Sequence, residues 1–169
     1  MATRSSVSRE IPTHVVVRPA TQADVTEIVA IWGELAVHHA ALDSSFAPSD
    51  RWQDEYRHFV RSLLGRDDAL AVVAVDQARL VGYAVGRISM LPGFFAQRER
   101  GYIHDAVVRP DCRRRGIGRQ MVEALTAWMH EHGVALVELT VATRNREAVE
   151  FWRSVGFDSY MVHMKRELI

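Results

Sequence analysis

The segment from Tyr102 to Ala142 constrains the fold most, because it alternates between strand and helix patterns. It begins with YIHDAVV, which is typical of a strand, and ends with VALVELTVA, which is typical of a buried strand. Between these strands, apolar residues recur at helical spacing from Ile117 to His132. A strand, a helix and a second strand in this order cross over right-handed and place the two strands parallel. We therefore predict a sheet that contains one parallel strand pair.

The flanking segments predict antiparallel strands and further helices. HVVVRPA is typical of a strand that Pro19 ends, and ALAVVAV and RLVGYAVGRISM predict a hairpin around residues 76–78. A last strand is predicted from about Ser159 to Leu168. Three more helices are predicted: Asp24 to about His39, Arg51 to Leu64, and Asn145 to Val155. We expect an α/β (α+β) fold with a mixed, mostly antiparallel sheet and about four helices.

Composition limits the class of protein. A chain of 169 residues with 48% hydrophobic content is long enough for one packed core, so we expect a flexible tail over residues 1–13 and a single domain over residues 14–169. Lys+Arg and Asp+Glu both number 21, which argues against broad binding to nucleic acid. A single cysteine, Cys112, and the lack of a membrane-length apolar run or a secretory signal lead us to expect a cytoplasmic protein with no membrane segment.

The stretch RPDCRRRGIGRQM, which begins at Arg109, predicts an anion site at the start of the central helix. The first turn of a helix leaves N–H groups without partners and carries the positive end of the helix dipole. Gly116 and Gly118 allow close approach of a ligand to the backbone, and the neighbouring arginines can neutralise phosphate charge. We infer a polyphosphate ligand.

Two common phosphate-binding patterns do not describe this loop. A P-loop requires Lys and then Ser or Thr after its last glycine, whereas Arg119 and Gln120 follow Gly118. A dinucleotide fingerprint requires a third glycine where Met121 stands, and a more direct turn from the strand into the first glycine.

The motif RRRGIG fits the pattern Arg/Gln-x-x-Gly-x-Gly/Ala and resembles the acyl-coenzyme A pyrophosphate loop of the GNAT N-acetyltransferase superfamily. Downstream, TVATRNREAVEFWRSVGF resembles the second signature of that family, in which an asparagine opens a helix that ends in an aromatic residue and Gly-Phe. The N-terminal VVVRPATQADVTEIVAIW is similar to the family's opening strand and helix. The resemblance covers Val15 to Leu168.

The resemblance implies a sheet whose two central parallel strands splay apart to admit acetyl-CoA. The pantetheine arm would pair with Val107 and Val108 like an added strand, and the pyrophosphate would bind N–H groups from Arg114 to Arg119. The residues that the resemblance assigns to acetyl-CoA binding are Val107, Val108, Arg113, Arg114, Arg115, Gly116, Ile117, Gly118, Arg119, Asn145 and Trp152.

Catalysis requires proton transfer, for which three residues are candidates. His104 stands where similar strands often carry a glutamate, and an imidazole with a pKa of about 6.5 can accept the proton of an ammonium substrate. Asp105 is expected on the opposite face of the strand, where it would orient a water or hold the substrate cation. Both also fit a plain role as hydrogen-bonding groups toward neighbouring loops. Many family members have a tyrosine acid where this chain has Trp152, so Tyr160 is the substitute candidate.

The amine pocket is predicted between the first helix, the segment after it and the loop before the central strand. The resemblance assigns Trp32, His39, Asp43 and Phe46 to this pocket, together with Phe94 and Phe95. Aromatic rings and one carboxylate suit a small cationic amine. Each residue also has a plain interpretation, which is core packing for Trp32 and a solvated loop for Asp43. Asn145 similarly fits both a helix N-cap and a contact to the coenzyme A arm.

The leading hypothesis is direct transfer of an acetyl group from acetyl-CoA to a primary amine of a small molecule or peptide. The alternative is an acetyl-CoA-binding sensor without turnover, which the missing glutamate and tyrosine favour. RNA binding through the arginine cluster and a nucleophilic Cys112 are weaker alternatives. We expect no metal, because the histidine pairs His38-His39 and His130-x-His132 lack a third ligand at suitable spacing. The resemblance also allows a homodimer.

Overall fold

The computed structural model describes residues 15–166 and residue 168. Its strands are β1 (Val15–Pro19), β2 (Ala69–Asp76), β3 (Arg79–Met90), β4 (Glu99–Val108) and β5 (Val137–Glu138). Its α-helices are α1 (Val25–Leu42), α2 (Trp52–Leu63), α3 (Ile117–Glu131) and α4 (Arg146–Ser154). Short 3-10 turns span Gln22–Asp24, Ser44–Phe46 and Pro110–Cys112. The flexible tail expected over residues 1–13 lies outside the described residues.

The strands form one mixed sheet in the order β1-β2-β3-β4-β5. Strands β1 to β4 are antiparallel to their neighbours, whereas β4 and β5 are parallel. The hairpin predicted around residues 76–78 is confirmed: Gln77 and Ala78 have φ angles of 47° and 70°, the left-handed pair that a tight two-residue turn requires. The predicted mixed, mostly antiparallel sheet with four flanking helices is also confirmed.

Helices cover both faces of the sheet, and each face has its own apolar cluster. On one face α1 and α2 pack Ile28, Ile31 and Val60 against the strands. On the other face α3 packs Met121, Leu125 and Met129 against the strands, with α4 beside it. Each side chain named here is fully buried, and burial of one side chain of this size contributes about 1.5–3 kcal/mol. These two layers fix the positions of β4 and α3, which carry the candidate site.

The predicted last strand from Ser159 to Leu168 is wrong for residues 159–166, which form no strand. The apolar residues Tyr160, Val162 and Met164 alternate as in a strand, but they are exposed. A strand requires a partner, and β5 is too short to offer one, since it spans two residues instead of the predicted nine. Helix α1 extends to Leu42, beyond the predicted end near His39, and β4 begins at Glu99, three residues before the predicted start.

Candidate functional site

The start of α3 forms a concave backbone loop. Arg114 and Gly116 have left-handed φ angles of 62° and 76°, and Gly116 is the N-cap of the helix. Left-handed residues next to a helix start turn successive N–H groups into one concavity, which binds anions. Within the described residues, no side chain makes a capping hydrogen bond at this helix start. The loop therefore has the donor arrangement that the sequence predicts for an anion site.

Glycine is favoured at positions 116 and 118 of the loop for different structural reasons. A methyl group added to Gly116 would meet nothing within 4 Å, so the backbone conformation and not space favours glycine there. A methyl group added to Gly118 would lie 3.1 Å from two ring carbons of Phe151 and 3.7 Å from Cγ2 of Val108. Gly118 therefore allows α3 to approach both α4 and the end of β4.

The arginine side chains of the loop mostly bind other parts of the protein. Nε of Arg113 donates to the carbonyl oxygen of Val108 at 3.2 Å, and Arg119 donates to the carbonyl oxygen of Ser154 at 2.6 Å. Arg115 forms an ion pair of 2.8 Å with Asp76 at the β2–β3 turn. Arg114 is exposed. Arg113 and Arg119 thus fix the loop relative to β4 and α4, and the Arg115 guanidinium is held by a carboxylate of the protein.

Strands β4 and β5 separate beside this loop. They pair only at Gly101 with Val137 and at Tyr102 with Glu138. The hydroxyl of Tyr102 donates to Oγ1 of Thr140, two residues after the end of β5, at 2.9 Å. In the described part of the chain, no strand pairs with this edge of β4 from residue 103 to residue 108. Val107 and Val108 lie in this stretch of β4, where the carbonyl oxygen of Val108 accepts the hydrogen bond from Arg113.

A bulge in β4 changes the direction of the two candidate catalytic side chains. Val85 pairs with Asp105 and Gly86 with Ile103, so His104 is an extra residue in β4. The expectation that Asp105 faces away from His104 is wrong, because this extra residue interrupts the strand alternation. The ring of His104 contacts the ring of Phe59 on α2 with a centroid distance of 5.5 Å. Asp105 accepts a hydrogen bond from Tyr56, which also belongs to α2. Both side chains therefore point toward α2.

The surroundings of His104 favour its neutral form. Its ring is packed edge-on against Phe59 and against Tyr102, with a centroid distance of 5.0 Å for the second pair. His104 is exposed as a whole residue, but partial burial of its imidazole and, as a smaller effect, the positive charge of Arg87 lower the pKa of His104 below its ordinary value of 6.5. The imidazole can therefore accept a proton near neutral pH.

Asp105 belongs to a chain of hydrogen bonds that the sequence analysis missed. The Tyr56 hydroxyl donates to Oδ2 of Asp105 at 2.7 Å, and the hydroxyls of Tyr56 and Tyr83 lie 2.9 Å apart. Burial raises the pKa of the Asp105 carboxyl, and the hydrogen bond from Tyr56 partly opposes this rise. A signal was present in the sequence, since Tyr83 is the only aromatic residue in the strand segment RLVGYAVGRISM.

The remaining cofactor and acid candidates lie on or after α4. Asn145 caps α4, because its Oδ1 accepts from the backbone N–H of Ala148 at 3.1 Å; this confirms the N-cap interpretation. Trp152 packs against the cluster on the α3 face and contacts Phe157 with a centroid distance of 5.3 Å. Tyr160 is 76% exposed and does not lie on a strand.

The predicted amine-pocket residues divide into two groups. Trp32 stacks on Tyr56 with a centroid distance of 4.6 Å and packs on the core, which confirms its core-packing interpretation. His39 and Phe46 lie near each other at the end of α1, with ring centroids 6.2 Å apart. Asp43 follows them and forms an ion pair of 2.6 Å with Lys165. The hydrogen bonds from Lys165 and Ser45 hold the pKa of Asp43 far below its usual range.

Among the described residues, no three His, Cys, Asp or Glu side chains cluster in a way that could hold a metal ion. Within the same residues, no helix has both the length and the apolar character needed to cross a bilayer. Cys112 is buried and unpaired with any other cysteine.

Sequence comparison connects this geometry with known proteins. The family model described as "Acetyltransferase (GNAT) family" matches residues 35–157. The chain is 25% identical over 142 residues to an uncharacterized N-acetyltransferase of Methanocaldococcus jannaschii, which covers 84% of this chain and 60% of the relative. It is 29% identical over 138 residues to the mycothiol acetyltransferase of Propionibacterium freudenreichii, which covers 79% of this chain and 40% of the relative. The chain thus spans about 60% and 40% of the lengths of these two curated relatives.

Comparison with solved structures gives the same fold. A mutant of the BH1408 protein from Bacillus halodurans superposes with a TM-score of 0.80 at 26% identity, over 90% of this chain and 99% of that chain. The aminoglycoside N-acetyltransferase AAC(6')-Iy in complex with coenzyme A superposes with a TM-score of 0.74 at 16% identity, over 92% of this chain and 95% of that chain. At that low identity, the second likeness concerns the fold alone.

Proposed function

The chain belongs to the GNAT acetyltransferase family, and on this premise we propose that it moves an acetyl group from acetyl-CoA directly to a primary amine in a ternary complex. One observation carries the proposal. The uncapped N–H groups at the start of α3 lie beside the edge of β4 that has no strand partner beyond Tyr102. An anion site next to an open strand edge fits a ligand with a pyrophosphate and an extended, amide-rich arm.

The residues of the loop fit acetyl-CoA in this proposal. Acetyl-CoA supplies the acetyl group as a reactive thioester. The backbone N–H groups from Arg114 to Arg119 bind the pyrophosphate, and the backbone of Val107 and Val108 pairs with the pantetheine arm. Because Asp76 holds the Arg115 guanidinium, Arg115 contributes its N–H group and not its side-chain charge. We assign these residues to one acetyl-CoA-binding domain over residues 14–169.

Proton transfer in the proposed reaction is assigned to His104. A primary amine reaches the protein mostly as ammonium and must lose a proton before it attacks the thioester carbon. The lowered pKa of His104 keeps the imidazole neutral near pH 7, so that it can take this proton directly or through water. Tyr160 is the proposed donor to the departing thiolate. Because a thiolate is a tolerable leaving group, loss of Tyr160 slows the reaction and does not abolish it.

The acceptor in this proposal is a small molecule or a peptide that carries a primary amine. The names of two similar proteins support a small-molecule amine, since one is a mycothiol acetyltransferase and another is an aminoglycoside N-acetyltransferase. The end of α1 offers His39, Asp43 and Phe46 as a polar and aromatic surface for such an acceptor. We further propose a cytoplasmic location, no metal and no nucleic-acid partner.

An amine panel with acetyl-CoA tests the proposal. The purified chain is incubated with acetyl-CoA and single amines, namely diamines, aminoglycosides, amino sugars and lysine peptides, and the free thiol released is measured with a disulfide reagent. We expect thiol release above the background hydrolysis rate with at least one class. Tight acetyl-CoA binding without thiol release from any amine would instead favour the sensor alternative, which the absent β4 glutamate and α4 tyrosine support.

A further inference from the structure

The buried polar groups behind β4 meet in one place. Tyr56 comes from α2, Tyr83 from β3 and Asp105 from β4, and their side-chain oxygens form a continuous chain with separations of 2.9 Å and 2.7 Å. Tyr56 is 8% exposed and Tyr83 is fully buried. Polar groups of this kind are costly inside a protein unless each has a partner. Here the chain places three of them beside the residue that we assign as the base.

The two oxygens of the Asp105 carboxylate have different surroundings. Oδ2 accepts the hydrogen bond from Tyr56, whereas Oδ1 accepts none within the described residues. In the same part of the chain, no fully buried side-chain oxygen lacks a hydrogen-bond partner. Oδ1 must therefore retain access to solvent. Because the bulge at His104 directs both side chains toward α2, the Asp105 carboxylate and the His104 imidazole lie on the same side of β4.

We propose that Tyr56 is a positioning residue, which holds Oδ2 of Asp105 so that Oδ1 binds the ammonium group of the acceptor amine, while Tyr83 fixes the Tyr56 hydroxyl. This inference rests on the proposed acetyl transfer. The bound ammonium stands next to His104, which takes one of its protons. The neutral amine then attacks the thioester carbon and its nitrogen loses a second proton to water as the carbon–sulfur bond breaks. The departing thiolate takes a proton from Tyr160, which regains it from solvent. No oxidant or further reactant is required.

Several charged or titratable groups surround Asp105. Tyr56 faces it from α2, Tyr83 faces it from β3, and His104 precedes it on β4. Arg87 of β3 acts on His104. Because the hydrogen bond from Tyr56 lowers the pKa of Asp105, its loss raises that pKa further. The direction of this change gives the inference a readout that does not depend on turnover.

The first experiment measures the pKa of the Asp105 carboxyl group directly. Protein labelled with ¹³C at the aspartate carboxyl carbon is titrated by NMR, and the Asp105 signal is assigned from its absence in Asp105→Asn. We expect the pH midpoint of the Asp105 titration to rise in Tyr56→Phe and to rise less in Tyr83→Phe. The matched control is Ser62→Ala, which removes an exposed hydroxyl that donates to the Phe59 carbonyl on the same helix. The control should leave the midpoint unchanged.

The second experiment separates amine binding from cofactor binding. With an amine from the panel, Tyr56→Phe should raise the KM for the amine about tenfold and leave the KM for acetyl-CoA unchanged. A purely structural role would change both constants or neither, and either result overturns the inference. An unchanged NMR midpoint in Tyr56→Phe also overturns it, even if wild type acetylates amines well. Wild type that acetylates no amine overturns the proposed function and the amine-binding role of Oδ1 with it.

Discussion

Substitution of Gly116 tests the assignment of the α3 loop, and the chain contains a matched control. Gly116 and Gly65 have nearly equal left-handed φ angles of 76° and 80°, and a methyl group added to either would meet nothing within 4 Å. Gly65 follows α2 and does not belong to the proposed cofactor loop. Gly116→Ala and Gly65→Ala therefore impose the same backbone strain, and they differ only in their distance from the proposed site.

The expected stability change follows from the backbone conformation. The left-handed conformation costs alanine roughly 1–2 kcal/mol, and the reduced freedom of the unfolded chain returns about 0.4–1 kcal/mol. A net loss of about 1 kcal/mol remains, which lowers Tm by about 2–4 °C for a chain of this size. Both variants should show this loss. The methyl group of Gly116→Ala additionally stands where the pyrophosphate would approach the N–H groups of the loop.

The expected affinity change is confined to Gly116→Ala. Hydrogen bonds to a charged group contribute roughly 1.5–3 kcal/mol each, so loss of one weakens binding by about ten- to a hundredfold. Isothermal titration calorimetry with coenzyme A measures the dissociation constant, and thermal unfolding measures stability for both variants. Equal affinity of Gly116→Ala and Gly65→Ala for coenzyme A would refute our assignment of the pyrophosphate to this loop.

Three further predictions concern the same site. His104→Ala should lower kcat/KM about 10²- to 10⁴-fold at pH 7 and recover as the pH rises and the free amine becomes abundant; a constant ratio to wild type from pH 6 to 10 would remove His104 from the mechanism. Because the pKa of Asp105 is raised in the folded state, the stability that Asp105 contributes falls as the pH rises above the unfolded value of about 3.9, so the Tm of Asp105→Asn relative to wild type should increase from pH 4 upward; a pH-independent difference would contradict this. Asn145→Ala should cost about 1 kcal/mol of unfolding free energy, whereas Asn145→Ser should keep the cap and the Tm, and weaker acetyl-CoA binding by Asn145→Ser would identify a contact of the carboxamide with the cofactor.

The strand–helix–strand unit was predictable because its apolar residues follow the periods of their elements. The α3 face from Met121 to Met129 is buried as predicted, and the hairpin at Gln77 and Ala78 forms without a glycine. Helix ends shifted by a few residues, since periodicity marks the middle of a helix better than its last turn. The strand predicted from Ser159 to Leu168 was wrong for a different reason. A strand forms only beside a partner strand, and the sequence of the C-terminal segment does not show whether a partner is present.

The candidate site was predictable where it depends on local chemistry and not where it depends on register. The uncapped helix start at Gly116 follows from glycine and helix geometry alone. The bulge at His104 follows from the pairing of β4 with β3, which no local pattern in YIHDAVV reveals. For the same reason Tyr56, which is 49 residues away from Asp105 in the chain, could not be connected with it.

The placement of the sheet between two helical layers also determines when each face is covered during synthesis. Helices α1 and α2 precede β2 in the chain, so one sheet face acquires its cover as the strands emerge from the ribosome. The opposite face, which carries Val72, Ala74, Val81 and Ala84, is covered only after α3 has been synthesised. At roughly 5–20 residues per second, the 15 residues of α3 take about 1–3 s to appear. During that interval the apolar face of the sheet in the nascent chain is uncovered. This is the stage at which a chaperone would protect the chain from aggregation.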